Sequence, residues 1–113
     1  MGNIMNGRDI METMRGPDGF LYLIRPKNAA LDQGLNQLMA DTRLLVMQEA
    51  QNVGIQAWYF VDLHVLLAIM EHYARSDYEL LREDADGFRH PWGARKDDVR
   101  KLINLYEKKG QQR

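Results

Sequence analysis

Apolar residues recur at helical spacing over the middle of the chain. From Ala29 onward they follow the 3.6-residue period, at Leu31, Leu35, Leu38, Met39, Leu45, Val46, Ala50 and Val53. Asn28 precedes this stretch as an N-cap residue, and Gly54 follows it as a stop signal. The pattern predicts a long helix over residues 29–52.

Three further helix signals lie in the second half of the chain. Asp62 is a suitable N-cap for a helix from Leu63 to Arg75. The stretch SDYE, residues 76–79, matches a capping box and predicts a further helix to about Asp84, although one long helix fits the same residues nearly as well. The stretch DDVRKLINLYEKKG begins with acids and ends with lysines, as a helix dipole favours, and it predicts a last helix with an apolar face of Val99, Leu102, Ile103 and Tyr106.

Strand signals are fewer. The stretch FLYLIR, residues 20–25, is aromatic and β-branched in character and ends at Pro26, which predicts a short strand. The aromatic residues of 56–61 fit either a strand or the first turns of a helix, and their pattern does not separate the two.

These signals together predict a mainly α fold. We expect a single domain over residues 1–113 with four or five helices, one of them a short helix over residues 7–15. The minor β element lies at residues 20–25 and, in one of the two interpretations, also at 56–61.

Two segments of the predicted helices are apolar on every side. Residues 44–47 are four consecutive apolar residues, and residues 57–70 interrupt an apolar run only at Asp62 and His64. A helix that is apolar all round must be buried all round, and two-fold pairing would bury both segments at once. This pattern predicts a homodimer, with a compact monomer as the alternative.

The composition is that of an ordinary globular protein. A chain of 113 residues that is 45% apolar and 27% charged suits one domain with one core. It has no cysteine, which excludes disulfides and thiolate zinc sites and suits the reducing cytoplasm, where we expect the protein. The apolar run of residues 57–70 is shorter than the roughly 18 residues of a bilayer-spanning helix, so no membrane partner is expected.

The charges are distributed unevenly. Residues 1–94 carry eight basic and thirteen acidic side chains, whereas residues 95–113 carry seven basic and three acidic ones. A solvated helix face explains such a basic C-terminal region most simply. The alternative is a nucleic-acid-binding regulator that uses this region, although Asp97 and Asp98 would repel phosphate at the start of its helix.

Motifs of established chemistry do not fit the chain. In REDADGFRHPWG, residues 82–93, Asp84, Asp86 and Gly87 match the middle of a calcium loop, but Arg82 and Gly93 stand where its first and last ligands are required. The three histidines lack the spacing of a helical zinc site, and the phosphate-loop, dinucleotide and nucleophile-elbow motifs do not occur. We therefore expect no metal, no cofactor and no enzymatic activity.

The stretch around β-branched and aromatic residues 20–25 suggests a second alternative function, that of a nuclease-like enzyme. PDGFLYLIRPK, residues 17–27, resembles the PD-(D/E)xK nuclease core, in which two carboxylates hold magnesium and a lysine positions water. Asp18 and Lys27 match that pattern, but Arg25 stands where the second carboxylate is required. The resemblance implies a degenerate metal-dependent nuclease.

The loop before the last helix is the predicted binding site. It concentrates aromatic and cationic residues, which dominate binding hot spots, and Pro91 stiffens it. We expect it to contact a partner protein, with Trp92 and Arg89 as anchors, through Phe88, Arg89, His90, Trp92, Arg95 and Lys96. In the alternative interpretation, Phe88 and Trp92 fold inward as a lid on the core.

The function predicted on these grounds is a small protein–protein interaction module. An adaptor, an inhibitor of a larger protein and an assembly component all belong to this class, and the sequence does not distinguish them.

Overall fold

A single antiparallel sheet organises the protein. The computed structural model describes residues 7–40, 46–48 and 58–111, and these residues form a five-stranded sheet in the order β2-β3-β1-β4-β5. The strands are β1 (Leu21–Pro26), β2 (Val46–Gln48), β3 (Tyr59–Val61), β4 (Tyr78–Glu83) and β5 (Arg89–Pro91).

Helices connect and flank these strands. The described part of the chain holds α1 (Gly7–Thr13), α2 (Ala29–Met39), α3 (Leu63–His72) and α4 (Lys96–Gln111), together with a 3-10 turn at Arg75–Asp77. From β1 to β4 the order is β-α-β-β-α-β, the split βαβ motif, with β5 and α4 appended. None of the described helices is both long and apolar enough to span a bilayer.

The prediction of a mainly α fold is wrong, because the chain has a mixed α/β fold. The predicted strand at residues 20–25 is present as β1, but it is the central strand of the sheet and not a minor element. Of residues 56–61, Tyr59–Val61 form strand β3, and residues 56 and 57 lie outside the described residues.

The capping-box signal at residues 76–79 does not start a helix. Asp77 instead accepts a hydrogen bond from the backbone N–H of Ala74 at 3.0 Å, which closes the 3-10 turn. Residues 78–83 then pair along their whole length with β1. Burial alternates over residues 78–81, which fits a strand, and pairing with the central strand outweighs the local helix signal.

The helix predicted over residues 29–52 is also shorter than expected. Its predicted cap is confirmed, since the side chain of Asn28 accepts a hydrogen bond from the N–H of Leu31 at 2.7 Å, but α2 ends at Met39. Val46–Gln48 form strand β2 on the edge of the sheet, next to β3. Residues 41–45 and 49–57, which include Gly54, lie outside the described residues.

Asp62 is confirmed as the cap of α3. Its side chain accepts a hydrogen bond from the N–H of Val65 at 2.8 Å. The helix ends at His72, before the predicted Arg75, because Tyr73 is extended. The apolar run of residues 57–70 is therefore a strand followed by a helix, and the premise of a helix apolar on every side is wrong for it. The homodimer stays a prediction.

Both faces of the sheet are covered by helices. On one face the strands pack against α2, α3 and α4 through a cluster that includes Tyr22, Ile24, Leu35, Tyr59, Val61, Leu66, Ile69, Leu80 and Val99. On the other face a smaller cluster packs near α1 and includes Met14, Leu21, Leu23 and Phe60. The sheet thus lies between α1 and a layer of three helices, and the β4–β5 hairpin forms one of its edges.

Candidate functional site

A tight turn joins β4 to β5. The N–H of Gly87 donates to the carbonyl of Asp84 at 3.1 Å, and the N–H of Asp84 donates to the carbonyl of Phe88 at 2.9 Å. Gly87 has a φ of +88°, in the left-handed region that favours glycine. This is a three-residue hairpin loop with a glycine bulge, so the aspartates and glycine that resemble a calcium loop serve a turn.

The carboxylate of Asp84 fixes this turn from inside. It accepts hydrogen bonds from the N–H groups of Asp86 at 2.9 Å and Phe88 at 3.0 Å, and its other oxygen lies 3.0 Å from Nε2 of His90. The hydrogen bond with His90, followed by that from Phe88, lowers the pKa of Asp84 below its usual value. The tip of the hairpin is therefore rigidly held.

Aromatic and arginine side chains form a strip along this edge of the sheet. Tyr22, Arg82 and His90 lie in register across β1, β4 and β5. Phe20 makes an edge-to-face contact with His90, with ring centroids 6.5 Å apart, and Trp92 stacks on Tyr22 at 5.0 Å. We name these residues, Phe20, Tyr22, Arg82, His90 and Trp92, the aromatic–arginine strip, and we include Phe88, which lies two residues before His90 and so on the same face of the hairpin.

Arg82 lies between two rings of the strip. Its Cζ is 4.3 Å from the centroid of the Phe20 ring and 5.7 Å from that of Trp92. Its Nε is buried and has no hydrogen-bond partner. Among the described residues, Arg82 forms no ion pair, so only the aromatic rings offset its charge locally.

Tyr22 anchors the strip to the core. Its side chain is fully buried, and its phenol donates a hydrogen bond to the carboxylate of Asp18. Burial, followed by the bond to Asp18, raises the pKa of Tyr22 far above its usual value. Tyr22 is therefore a neutral, rigid support for the ring of Trp92.

The predicted binding residues do not form one surface. Phe88, His90 and Trp92 belong to the strip. Phe88 lies at the end of the strip nearest the hairpin turn, and 66% of its surface is exposed. Arg89 lies on the opposite face of the sheet, where it pairs with Glu83 at 3.0 Å and approaches the ring of Phe60 at 5.8 Å. Neighbouring residues of a strand point to opposite faces, and this separates Arg89 from His90 and from the other predicted anchor, Trp92.

Arg95 and Lys96 lie at the start of α4 and line a separate cleft of about 590 Å³. Arg75 lines the same cleft and donates hydrogen bonds to the carbonyls of Tyr78 at 2.7 Å and Trp92 at 3.4 Å. Three cations and no carboxylate line this cleft, together with Met70, Tyr73, Tyr78, Gly93 and Ala94.

Three residues of the strip were missed by sequence reasoning, namely Phe20, Tyr22 and Arg82. Two signals could have identified Arg82. The first three residues of YELLRE alternate between apolar and polar and indicate a strand, and a glycine-containing turn after the strand predicts a hairpin that would bring Arg82 beside His90. Phe20 and Tyr22 could be identified only from the pairing of β1 with β4, and no local sequence pattern encodes that pairing.

The residues of the nuclease resemblance are far apart. Asp18 precedes β1 and Lys27 follows it, so the six residues of the strand, about 20 Å, separate them. Arg25 forms an ion pair with Glu79. Within residues 7–40, 46–48 and 58–111, no group of three or more metal-ligating side chains is close enough to hold an ion.

Comparison with protein families, curated proteins and solved structures found no match to this chain. The geometry of the aromatic–arginine strip is therefore the basis of the functional proposal.

Proposed function

We propose that this protein is a small, non-enzymatic protein–protein interaction module of the cytoplasm, and that it holds a partner protein at the aromatic–arginine strip. The observation that carries the proposal is the exposure of Phe88. Its side chain is 66% exposed, on a turn that the carboxylate of Asp84 holds in place. An adaptor, an inhibitor and an assembly component would each use such a surface.

The residue types of the strip support this function. Tryptophan, tyrosine and arginine are enriched in binding hot spots, because they combine a large contact area with directed polar contacts. Trp92 and Arg82 are held by ring contacts, and the tip of the hairpin is held by hydrogen bonds. A surface ordered in advance loses little conformational entropy on binding.

The partner is expected to bind through side chains and not by adding a strand to the sheet. The backbone of Phe88 bonds to Asp84 and that of Trp92 to Leu80 of β4, so the peptide groups that face outward belong to Arg89 and Pro91. Pro91 has no N–H, which removes a donor from the exposed edge of β5.

Substitution of Phe88 tests the proposal. The protein, immobilised and incubated with a host-cell lysate, should retain one protein that Phe88→Ala retains at least tenfold less. Phe88→Ala removes an exposed ring, so the free energy of unfolding should change by no more than about 0.5 kcal/mol. The measurements are quantitative capture and thermal unfolding of both proteins.

Asn104→Ala is the control. Asn104 is an exposed residue of α4, outside the strip, and the loss of its side chain should leave capture unchanged. Equal capture by Phe88→Ala and the parent, or capture of no protein by the parent, would contradict the proposal.

A nucleic-acid-binding regulator is the second candidate, and the cleft lined by Arg75, Arg95 and Lys96 is the observation that favours it. Cations without a carboxylate among them attract phosphate, and such binding weakens steeply with salt. If the same capture retains nucleic acid that is released by salt and lost in Arg95→Ala, this second function replaces the first.

A further inference from the structure

Arg82 is the least satisfied polar side chain of the aromatic–arginine strip. Its Nε is buried without an acceptor, and no hydrogen bond or ion pair joins its terminal nitrogens to a described residue. Buried polar groups are nearly always paired, so the unpaired Nε sets Arg82 apart from the other polar side chains of the strip.

The carboxylates on this face are engaged elsewhere. Asp84 accepts hydrogen bonds from the backbone of its own turn and bonds His90. Asp18 accepts from the phenol of Tyr22 and from the N–H of Phe20, the latter at 3.3 Å. Neither forms an ion pair with Arg82, which therefore keeps its terminal donors for a group from outside the chain.

We propose that Arg82 is the receptor for a carboxylate of the partner, a carboxylate carried on an apolar or aromatic body. This inference rests on the proposed function, whose binding surface it specifies. The two terminal nitrogens of a guanidinium match the two oxygens of a planar carboxylate, and such charge-assisted pairs are among the stronger hydrogen bonds.

The rings around Arg82 select the body of the ligand. Phe20 and Trp92 lie on Arg82, and His90 lies against Phe20, so a ligand whose carboxylate reaches the guanidinium meets aromatic surface on its way. An aromatic carboxylate should bind more tightly than acetate, because its ring packs on these side chains.

Benzoate and acetate are the probes, and NMR of the arginine Nε–Hε groups in the labelled full chain is the measurement. Each sodium salt is titrated against sodium chloride at constant ionic strength. The Nε–Hε signal of Arg82 and the indole N–H signal of Trp92 should shift together and reach saturation. We expect the dissociation constant for benzoate to be several-fold lower than that for acetate.

Two variants distinguish specific binding of a carboxylate at Arg82 from a general attraction of carboxylates to cationic side chains. Arg82→Lys keeps the positive charge but loses the planar pair of terminal nitrogens that matches a carboxylate. The indole signal of Trp92 should then report binding weakened at least tenfold. Arg25→Lys is the matched control, since Arg25 also lies on an aromatic ring and has a buried Nε without an acceptor, but it pairs with Glu79 on the other face of the sheet. Its benzoate affinity should equal that of the parent.

Three results would overturn the inference. They are a shift that grows linearly without saturation, equal benzoate binding by Arg82→Lys and the parent, and tighter binding of inorganic phosphate than of either carboxylate. If the substitution at position 82 prevents folding, the titration of the parent protein still tests the inference through saturation and through the relative affinities for benzoate, acetate and phosphate. Because the probes need no protein partner, failure here leaves the capture experiment with Phe88 unaffected, and failure of capture leaves this titration unaffected.

Discussion

Gly16 shows how closely single residues are constrained beneath the strip. A Cβ at this position would overlap the phenol oxygen of Tyr22 and lie 2.7 Å from its Cζ. Tyr22 is fully buried and cannot swing away. We expect Gly16→Ala to lower the free energy of unfolding by about 2–3 kcal/mol, as overpacked cores do, and to lower the Tm by roughly 10 °C.

Gly93→Ala is the control for that substitution. A Cβ at Gly93 would have no neighbour within 4 Å, and Gly93 follows Trp92 directly. Its free energy of unfolding should stay within about 0.5 kcal/mol of the parent value. Thermal unfolding of the two variants decides the matter, and similar Tm values for both would show that the contact between Gly16 and Tyr22 is not tight.

At the same scale, the sequence predicts some side-chain roles and not others. Asn28 and Asp62 are both confirmed as helix caps, because a cap depends only on the three residues that follow it. The position of Arg82 between Phe20 and Trp92 depends on the register of three strands. The hairpin turn could indicate the pairing of β4 with β5, but the pairing of β4 with β1 is set by the whole sheet, and no pattern around residue 82 could reveal it.

Among the elements, the turn of the β4–β5 hairpin should lose stability in acid. The lowered pKa of Asp84 means that the folded turn favours the ionised carboxylate. The stabilisation of the turn is therefore fully present above the unfolded pKa of about 3.9, and it is lost as the pH falls through the lower folded value. We expect hydrogen exchange at the N–H of Phe88, corrected for its intrinsic rate, to become less protected over this acidic range.

Asp84→Asn isolates the carboxylate in that experiment. The amide keeps an oxygen that accepts from the backbone but does not titrate, so protection at Phe88 should be lower than in the parent at neutral pH and independent of pH in acid. An identical acid response in the parent and the variant would assign the opening to another group.

The length of a pattern did not decide whether an element was predicted correctly, since the helix predicted over residues 29–52 ends at Met39. The C-terminal helix was expected from its apolar face and its end charges, and α4 confirms it. The helix predicted over residues 76–84 is a strand, since β4 pairs with six residues of β1 while the capping signal concerns only one turn. Long-range pairing thus decided the class of the element.

For the whole molecule, the sheet was beyond what the sequence pattern could reveal. Strand β1 pairs with β3 and β4, which lie far along the chain, and the phenol of Tyr59 joins this sheet to α2 by a hydrogen bond to Asp32 at 2.8 Å. Burial, followed by that bond, raises the pKa of Tyr59 to about 12. A search for local periods cannot find such contacts, so the fold class was predicted as mainly helical.

The candidate site was predictable in part for a related reason. Its aromatic residues in the stretch 88–92 stand out in the sequence, whereas their partners on β1 and β4 come from residues that look like ordinary core or charge positions. Arg89, Arg95 and Lys96 were grouped with them by proximity in the chain, but the structure places them on another face and in another cleft.

The homodimer is a prediction for the whole molecule, and α4 now offers the surface for it. Leu105 and Tyr106 are 52% and 50% exposed, and Phe88 is the one large apolar side chain of the described chain that is more exposed. Antiparallel pairing of two α4 helices would cover both residues. It would also bring Asp97 and Asp98 of one copy towards Lys108 of the other.

Light scattering coupled to size exclusion tests this arrangement. The parent should elute with a mass of twice 13.2 kDa at micromolar concentration, and Leu105→Glu should elute with a mass of 13.2 kDa, because it would place a charge in the apolar contact. Asn104→Glu is the matched control, since it adds the same charge at the neighbouring exposed position of α4 and should leave the dimer intact. A parent mass of 13.2 kDa would contradict the homodimer, and a dimer that survives Leu105→Glu would place its interface elsewhere than on α4.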